Sequence, residues 1–153
     1  MSTVIGQAAP AFTAPSTDGD ISLAGLKGHA VVLYFYPRDN TPGCTTEGQN
    51  FRDLHQEFEA AGARVIGVSR DTLSSHQKFK EKQGFPFPLI ADPDETLCEL
   101  YGVMKMKNMY GKQVRGVERS TFLIDAAGKL RQEWRGLKVP GHAQAVLEAV
   151  KAL

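Results

Sequence analysis

Cysteine is scarce in this chain, with two in 153 residues, which excludes a disulfide scaffold. Long hydrophobic runs are missing, and none approaches the ~20 residues that a bilayer-spanning helix needs. The stretch from Met1 to Pro15 lacks a basic region followed by an apolar segment, so no secretory signal is expected. An excess of one charge is missing too: 18 Lys and Arg face 17 Asp and Glu, for a formal net charge of +1. That balance argues against nucleic acid or a membrane surface as a partner. Cys-x-x-Cys, a glycine-rich phosphate loop and a dinucleotide fingerprint are all absent, which disfavours a dithiol oxidoreductase and a nucleotide-dependent enzyme. The four histidines, His29, His55, His76 and His142, share no ligand spacing with one another or with the cysteines, so no metal site is expected. Sparse cysteine without a signal points to a reducing compartment, most simply the cytoplasm.

What is present is an ordinary globular composition, 42% apolar and 23% charged. The length fits one buried core, and residues 1–153 read as a single domain without repeats or linkers. Thr17-Asp18-Gly19-Asp20 is a turn signal that closes a small N-terminal hairpin. The continuous apolar run Ala30 to Tyr36, ended by Pro37, reads as a fully buried central strand. Glu47, Phe51, Leu54, Phe58 and Ala61 recur at helical spacing, which predicts one helix from Cys44 to Ala61, stopped by Gly62. Arg64 to Ser69 reads as a second buried strand, followed by a polar helix to Lys82 capped by Asp71 or Thr72. Pro86 to Ile90 is a candidate third strand and Asp94 to Tyr101 a short helix. Ser120 to Ile124 and Lys129 to Trp134 flank an Asp-Ala-Ala-Gly turn as an antiparallel hairpin, and Ala143 to Leu153 forms an amphipathic last helix. Parallel strands joined by helices, then a hairpin and a helix, predict an α/β, thioredoxin-like fold with a central mixed sheet.

The chemistry gathers where the central strand gives way to the first long helix. Cys44 falls in the first turn of that helix, past the carboxyl end of a buried strand, where ligands of open α/β sheets collect. Helix N-terminal amides lack intrahelical partners and carry partial positive charge, a setting that favours a thiolate nucleophile. Pro42 fixes one backbone angle and removes a competing donor. Gly43, with no side chain, lets a small substrate approach the backbone amides. Thr41, three residues before Cys44, can turn its hydroxyl towards the sulfur or a substrate oxygen, and Pro37 can shield the sulfur from bulk water.

Pro37-x-x-x-Thr41-x-x-Cys44 resembles the active-site signature of the peroxiredoxins, and Tyr34 to Glu47 as a whole resembles the peroxiredoxin Q subfamily, also called bacterioferritin comigratory protein. Ser120-Thr121-Phe122-Leu123-Ile124-Asp125 and the tail from Lys138 to Val150 resemble that subfamily too, so the likeness covers nearly the whole chain. It implies a thioredoxin-like domain whose Cys44 attacks the O–O bond of a hydroperoxide and becomes a sulfenic acid. It implies an arginine beside the sulfur, carried here by Arg119, and no metal, haem or flavin. Glu47, one helical step from Cys44, then serves to orient Arg119. The subfamily likeness leans towards a monomer.

One position departs from the pattern. Many members carry a resolving cysteine five residues after the reactive one, and here that residue is Gln49. The other cysteine, Cys98, either packs as a small apolar residue or resolves the sulfenic acid after local unfolding; the burial tendency of free cysteine favours packing. A one-cysteine cycle is therefore expected, resolved by thioredoxin, glutaredoxin or a small thiol. The alternative from another class is a redox-sensing or chaperone-like binding protein with little turnover, which the missing resolver would suit. The segment Met104 to Arg119, with three methionines and five Lys/Arg, reads as a solvated, mobile loop, or else as a basic rim for substrate or an acidic reductase.

Overall fold

The computed structural model describes residues 3–153. The chain opens with a hairpin of β1 (Thr13–Ser16) and β2 (Gly19–Ser22), which turns at Thr17 and Asp18 as read from the sequence. A 3-10 turn leads to β3 (Ala30–Phe35). Two helices, α1 (Pro42–Asp53) and α2 (His55–Ala60), precede β4 (Ala63–Ser69). Then come α3 (Leu73–Gln83), β5 (Leu89–Ala91) and α4 (Thr96–Leu100). The chain continues through β6 (Met104–Met109), β7 (Lys112–Val117), β8 (Ser120–Ile124), β9 (Leu130–Arg135) and α5 (His142–Lys151).

Seven strands form one mixed sheet in the order β2-β1-β5-β4-β3-β8-β9. β3, β4 and β5 run parallel, while β1, β8 and β9 join antiparallel. This is the thioredoxin-like mixed sheet flanked by helices that the element order predicts. β3 is buried along its whole length because helices or loops cover both faces. Successive side chains alternate between the faces. Val32, Tyr34 and Tyr36 enter a core shared with Cys44, Phe51, Phe58, Phe79 and Val146. Val31, Leu33 and Phe35 enter a second core with Leu97, Cys98, Tyr101 and Phe122.

Three local expectations differ from the structure. The helix expected from Cys44 to Ala61 starts earlier, at Pro42, and breaks at Leu54, whose ψ is 5°. The apolar spacing carries no mark of that break, since Phe51 and Phe58, seven residues apart, share a face with or without it. β5 begins only at Leu89, because Pro86 and Pro88 have no N–H for the ladder. The segment expected as a mobile loop, Met104 to Arg119, is instead the antiparallel hairpin β6–β7. Its two-residue turn, Tyr110 and Gly111, has φ of 54° and 80°, the pair of left-handed residues that a type I′ hairpin requires.

Candidate active site

The register of the sheet builds the site. β3 pairs with β8 so that Phe35 faces Ser120, which brings Arg119 to the edge where β3 ends and the loop to Cys44 begins. Thr41 is the N-cap of α1, with extended backbone angles, and Pro42, Gly43 and Cys44 are the first three helical residues. The Thr45 amide returns to the Thr41 carbonyl at 2.9 Å, so the amides of Gly43 and Cys44 lie ahead of the helical ladder, at the positive end of the helix. Cys44 is 2% exposed.

Arg119 joins two side chains of α1. Its Nη1 donates to Glu47 Oε1 at 2.7 Å and its Nη2 to Cys44 Sγ at 3.4 Å. Burial opposes the Arg119 charge, but Glu47 and Cys44 outweigh it and hold the guanidinium above its ordinary range. Glu47 is buried, and that burial pushes its carboxyl up to about 7, against the pull of Arg119. Its Oε2 is buried without a hydrogen-bond partner among the described residues. One cation thus faces two groups that can be anionic. Gly43 closes the arrangement from the helix side: a Cβ there would meet Arg119 Nη2 at 3.2 Å. The absence of a side chain at Gly43 thus leaves room for the guanidinium.

The Thr41 hydroxyl is placed differently from expectation. It donates to the Arg38 carbonyl at 2.8 Å, so its proton is turned away from the sulfur until that bond is exchanged. Pro37 is half-buried at the end of β3 and, with Arg38, Arg70, Asp71 and Pro93, lines a cavity of about 350 Å³. Cys98 is not brought to the site. It is fully buried in the core on the other face of the sheet from Cys44. Burial, then Asp92, holds its thiol far above the usual range, and its amide donates to Asp92 Oδ2 at 2.8 Å. Gln49 donates through Nε2 to Gln83 Oε1 at 2.9 Å, and Arg52 Nη1 reaches the Gln83 carbonyl at 2.8 Å, which ties α1 to the end of α3.

Several groups around the site have no local sequence signal. Asp39, in the loop before Cys44, accepts from Tyr36 Oη at 2.7 Å and Ser75 Oγ at 2.8 Å, and its Oδ2 lies 2.7 Å from His76 Nδ1. His76 Nε2 lies 2.9 Å from the Ile90 carbonyl. Carboxylate and ring atoms of Asp39, Asp71 and His76 lie within 4.8 Å of one another, but both His76 nitrogens are already engaged, by Asp39 Oδ2 and the Ile90 carbonyl. His142 is pushed down to about 4 by burial, then by Arg119, and its Nε2 meets Thr121 Oγ1 at 2.8 Å. Lys107 of β6 donates to the Val117 carbonyl, and burial, then Arg119 and Arg70, lower its pKa. These pairs join residues 10 to 37 positions apart, so only the fold makes them visible.

A thioredoxin-like sheet with an arginine-paired cysteine at a helix start defines the class of a thiol peroxidase. The chain belongs to the AhpC/TSA family, whose model matches residues 5–133. It is 60% identical over 131 residues to peroxiredoxin Bcp of Xanthomonas campestris, covering 86% of this chain and 82% of that one. It is 47% identical over 152 residues to peroxiredoxin Bcp of Bacillus subtilis, covering 99% of this chain and 97% of that one. A solved structure of Xanthomonas campestris peroxiredoxin Q superposes with a TM-score of 0.90 at 52% identity, over 98% of this chain and 97% of that one. Another, with a TM-score of 0.90 at 51% identity and 98% of each chain covered, concerns the alkyl peroxide reduction activity of the bacterioferritin comigratory protein of that organism. The chain is thus an enzyme of the peroxiredoxin type. No helix among the described residues is long and apolar enough to cross a membrane.

Proposed function

We propose that the chain reduces hydrogen peroxide and organic hydroperoxides with the thiolate of Cys44. The sulfur attacks the terminal oxygen, an S–O bond forms and the O–O bond breaks. Water or an alcohol leaves after taking up a proton, and the sulfur is oxidised by two electrons to the sulfenic acid. An external thiol then forms a mixed disulfide with Cys44 and releases water; a second thiol frees Cys44 as the reductant's own disulfide. Thioredoxin, glutaredoxin or a small thiol fits that step. Arg119 holds the thiolate and the charge that spreads onto the oxygens as the bond breaks. Glu47 fixes the guanidinium, and Gly43 gives it space. Thr41 exchanges its bond to Arg38 for one to the peroxide, and Pro37 limits water at the mouth of the site. We place this cycle in one domain acting as a monomer in a thiol-reducing compartment, most simply the cytoplasm.

The observation that carries the reading is the Arg119 fork, which spans Glu47 Oε1 and Cys44 Sγ at the start of α1. A one-cysteine cycle is supported by Gln49, whose amide is bonded to Gln83, and by Cys98, which is buried across the sheet. The test is stopped-flow oxidation of wild type beside Cys44→Ser and Cys98→Ser, with mass spectrometry after one equivalent of peroxide. Loss of the reaction in Cys44→Ser alone, with a sulfenic acid or its thiol adduct on Cys44, is the expected result. A Cys44–Cys98 disulfide as the main product rejects the one-cysteine cycle. Oxidation of Cys44 that no donor thiol reverses would move the reading to a redox sensor.

A further inference from the structure

We propose that the buried Asp39–His76 pair is a lock on the Cys44 loop, holding the sulfur in place for peroxide and requiring release before the second thiol can reach it. The inference rests on the reading of Cys44 as the nucleophile. The side chains of Asp39 and His76 are 1% and 0% exposed. Asp39 stands in the five-residue loop between Tyr36 and the first residue of α1, Pro42. Both of its carboxylate oxygens and its backbone amide are taken. Oδ1 accepts from Tyr36 at the end of β3, and Oδ2 meets Ser75 Oγ and His76 Nδ1 in the first turn of α3. Its backbone amide donates to Asp71 Oδ2 at 2.9 Å, past the end of β4. Ser69 Oγ donates to the same Asp71 oxygen, and His76 continues to the Ile90 carbonyl on β5. The loop is therefore pinned to β3, β4, α3 and, through His76, β5.

Both ring nitrogens of His76 have partners, Asp39 Oδ2 and the Ile90 carbonyl. The pair is dry and hydrogen-bonded at both ends, the kind of buried contact that costs most when one partner is lost. The residue after Asp39, Asn40, has φ of 63°, a left-handed turn that asparagine accepts more readily than other non-glycine residues. Five positions beyond Asp39 lies Cys44, 2% exposed. A peroxide can reach such a sulfur, but a disulfide needs a second sulfur at ~2 Å with both Cβ atoms aligned. The loop must lift for that, and the lock is what it lifts against. Asp39 and His76 are positioning residues with opposed effects on the two half-reactions.

The experiment times the two half-reactions separately in the intact chain: oxidation of Cys44 by hydrogen peroxide, then reduction of its sulfenic acid by 2-mercaptoethanol. In Asp39→Asn the first rate constant should fall about tenfold through misplacement of the sulfur, while the second rises severalfold. Ser75→Ala removes one donor from a half-buried side chain and carries the test where Asp39→Asn does not fold; a twofold opposed shift is expected there. A purely structural role moves both constants together or neither. Any pattern other than a fall in the first step with a gain in the second overturns the lock. Retention of peroxide reduction by Cys44→Ser would overturn the reading of Cys44 as well, and that failure is seen in a variant with the lock intact.

Discussion

At the scale of single residues, Glu47 sets the clearest expectation. Its carboxyl titrates at about 7 in the folded chain against an ordinary value of 4.5, because burial penalises the charge more than Arg119 repays it. A folded pKa raised above the unfolded one means stability that is full below pH 4.5 and is lost as pH rises through 7. Glu47→Gln removes that loss. The variant should gain on wild type between these limits, by on the order of 3 kcal/mol at pH 8 relative to pH 4. Denaturant unfolding at both pH values measures it, and a difference that stays constant with pH contradicts it. The same substitution weakens the anchor of Arg119, so oxidation of Cys44 should slow. Gly43→Ala makes the converse point: the fold should survive, since the backbone there has no positive φ, but the methyl group at 3.2 Å must push Arg119 Nη2 aside. We expect about a tenfold loss in the second-order rate with peroxide, read by stopped flow. Of these residues, Cys44 and Glu47 were legible because a short, specific motif and a helical step mark them, and Arg119 only through the family resemblance of the segment that follows it. The Gly43–Arg119 contact was not, since it depends on the pairing of β3 with β8, which brings distant parts of the chain together.

At the scale of elements, α1 is fitted to its neighbours as much as to the chemistry. Gly48 lies against Phe85, and a Cβ there would overlap the ring. Gly48→Ala should therefore destabilise the chain by about 1–3 kcal/mol through overpacking, although alanine is the better helix former. Thermal unfolding checks the sign, and a stabilised variant would show that Phe85 simply moves away. α3 has its start fixed by Thr72, which accepts from the Ser75 amide at 3.2 Å. Thr72→Ala should cost about 1 kcal/mol, measured by denaturant unfolding. β3, β4 and β8 were readable as short apolar runs because both of their faces are buried, and the long helices because each buries a face whose period is visible in the sequence. The hairpin β6–β7 was not. Its strands pair with each other and join no core sheet, so most of its side chains face solvent and Met104-Lys105-Met106-Lys107 alternates without a buried face. Tyr110-Gly111 was its only turn signal, and tyrosine is an unusual residue at positive φ.

At the scale of the whole molecule, the sheet keeps the two sulfurs apart. Cys44 and Cys98 occupy cores on its two faces, with β3 contributing alternate residues to each. Cys98→Ala should leave single-turnover oxidation by peroxide unchanged while lowering the midpoint of thermal unfolding, since it empties a fully buried site. A loss of peroxidase turnover without a change in stability would contradict this. The mixed-sheet topology followed from the order of elements, whereas the Asp39–His76 pair depends on which loops meet at one edge of the sheet. Order along the chain carries the first kind of information and only closure in space carries the second.

The separation of the two thiols has a consequence for bookkeeping in the cell. On the proposed one-cysteine cycle the chain holds one two-electron oxidation, as the sulfenic acid of Cys44, and has no internal disulfide in which to store it. How long that sulfenic acid persists is then set by the concentration of surrounding thiols. Where they are scarce, further peroxide carries the same atom on to the sulfinic acid, so the chain's survival under oxidant becomes a readout of the thiol supply around it.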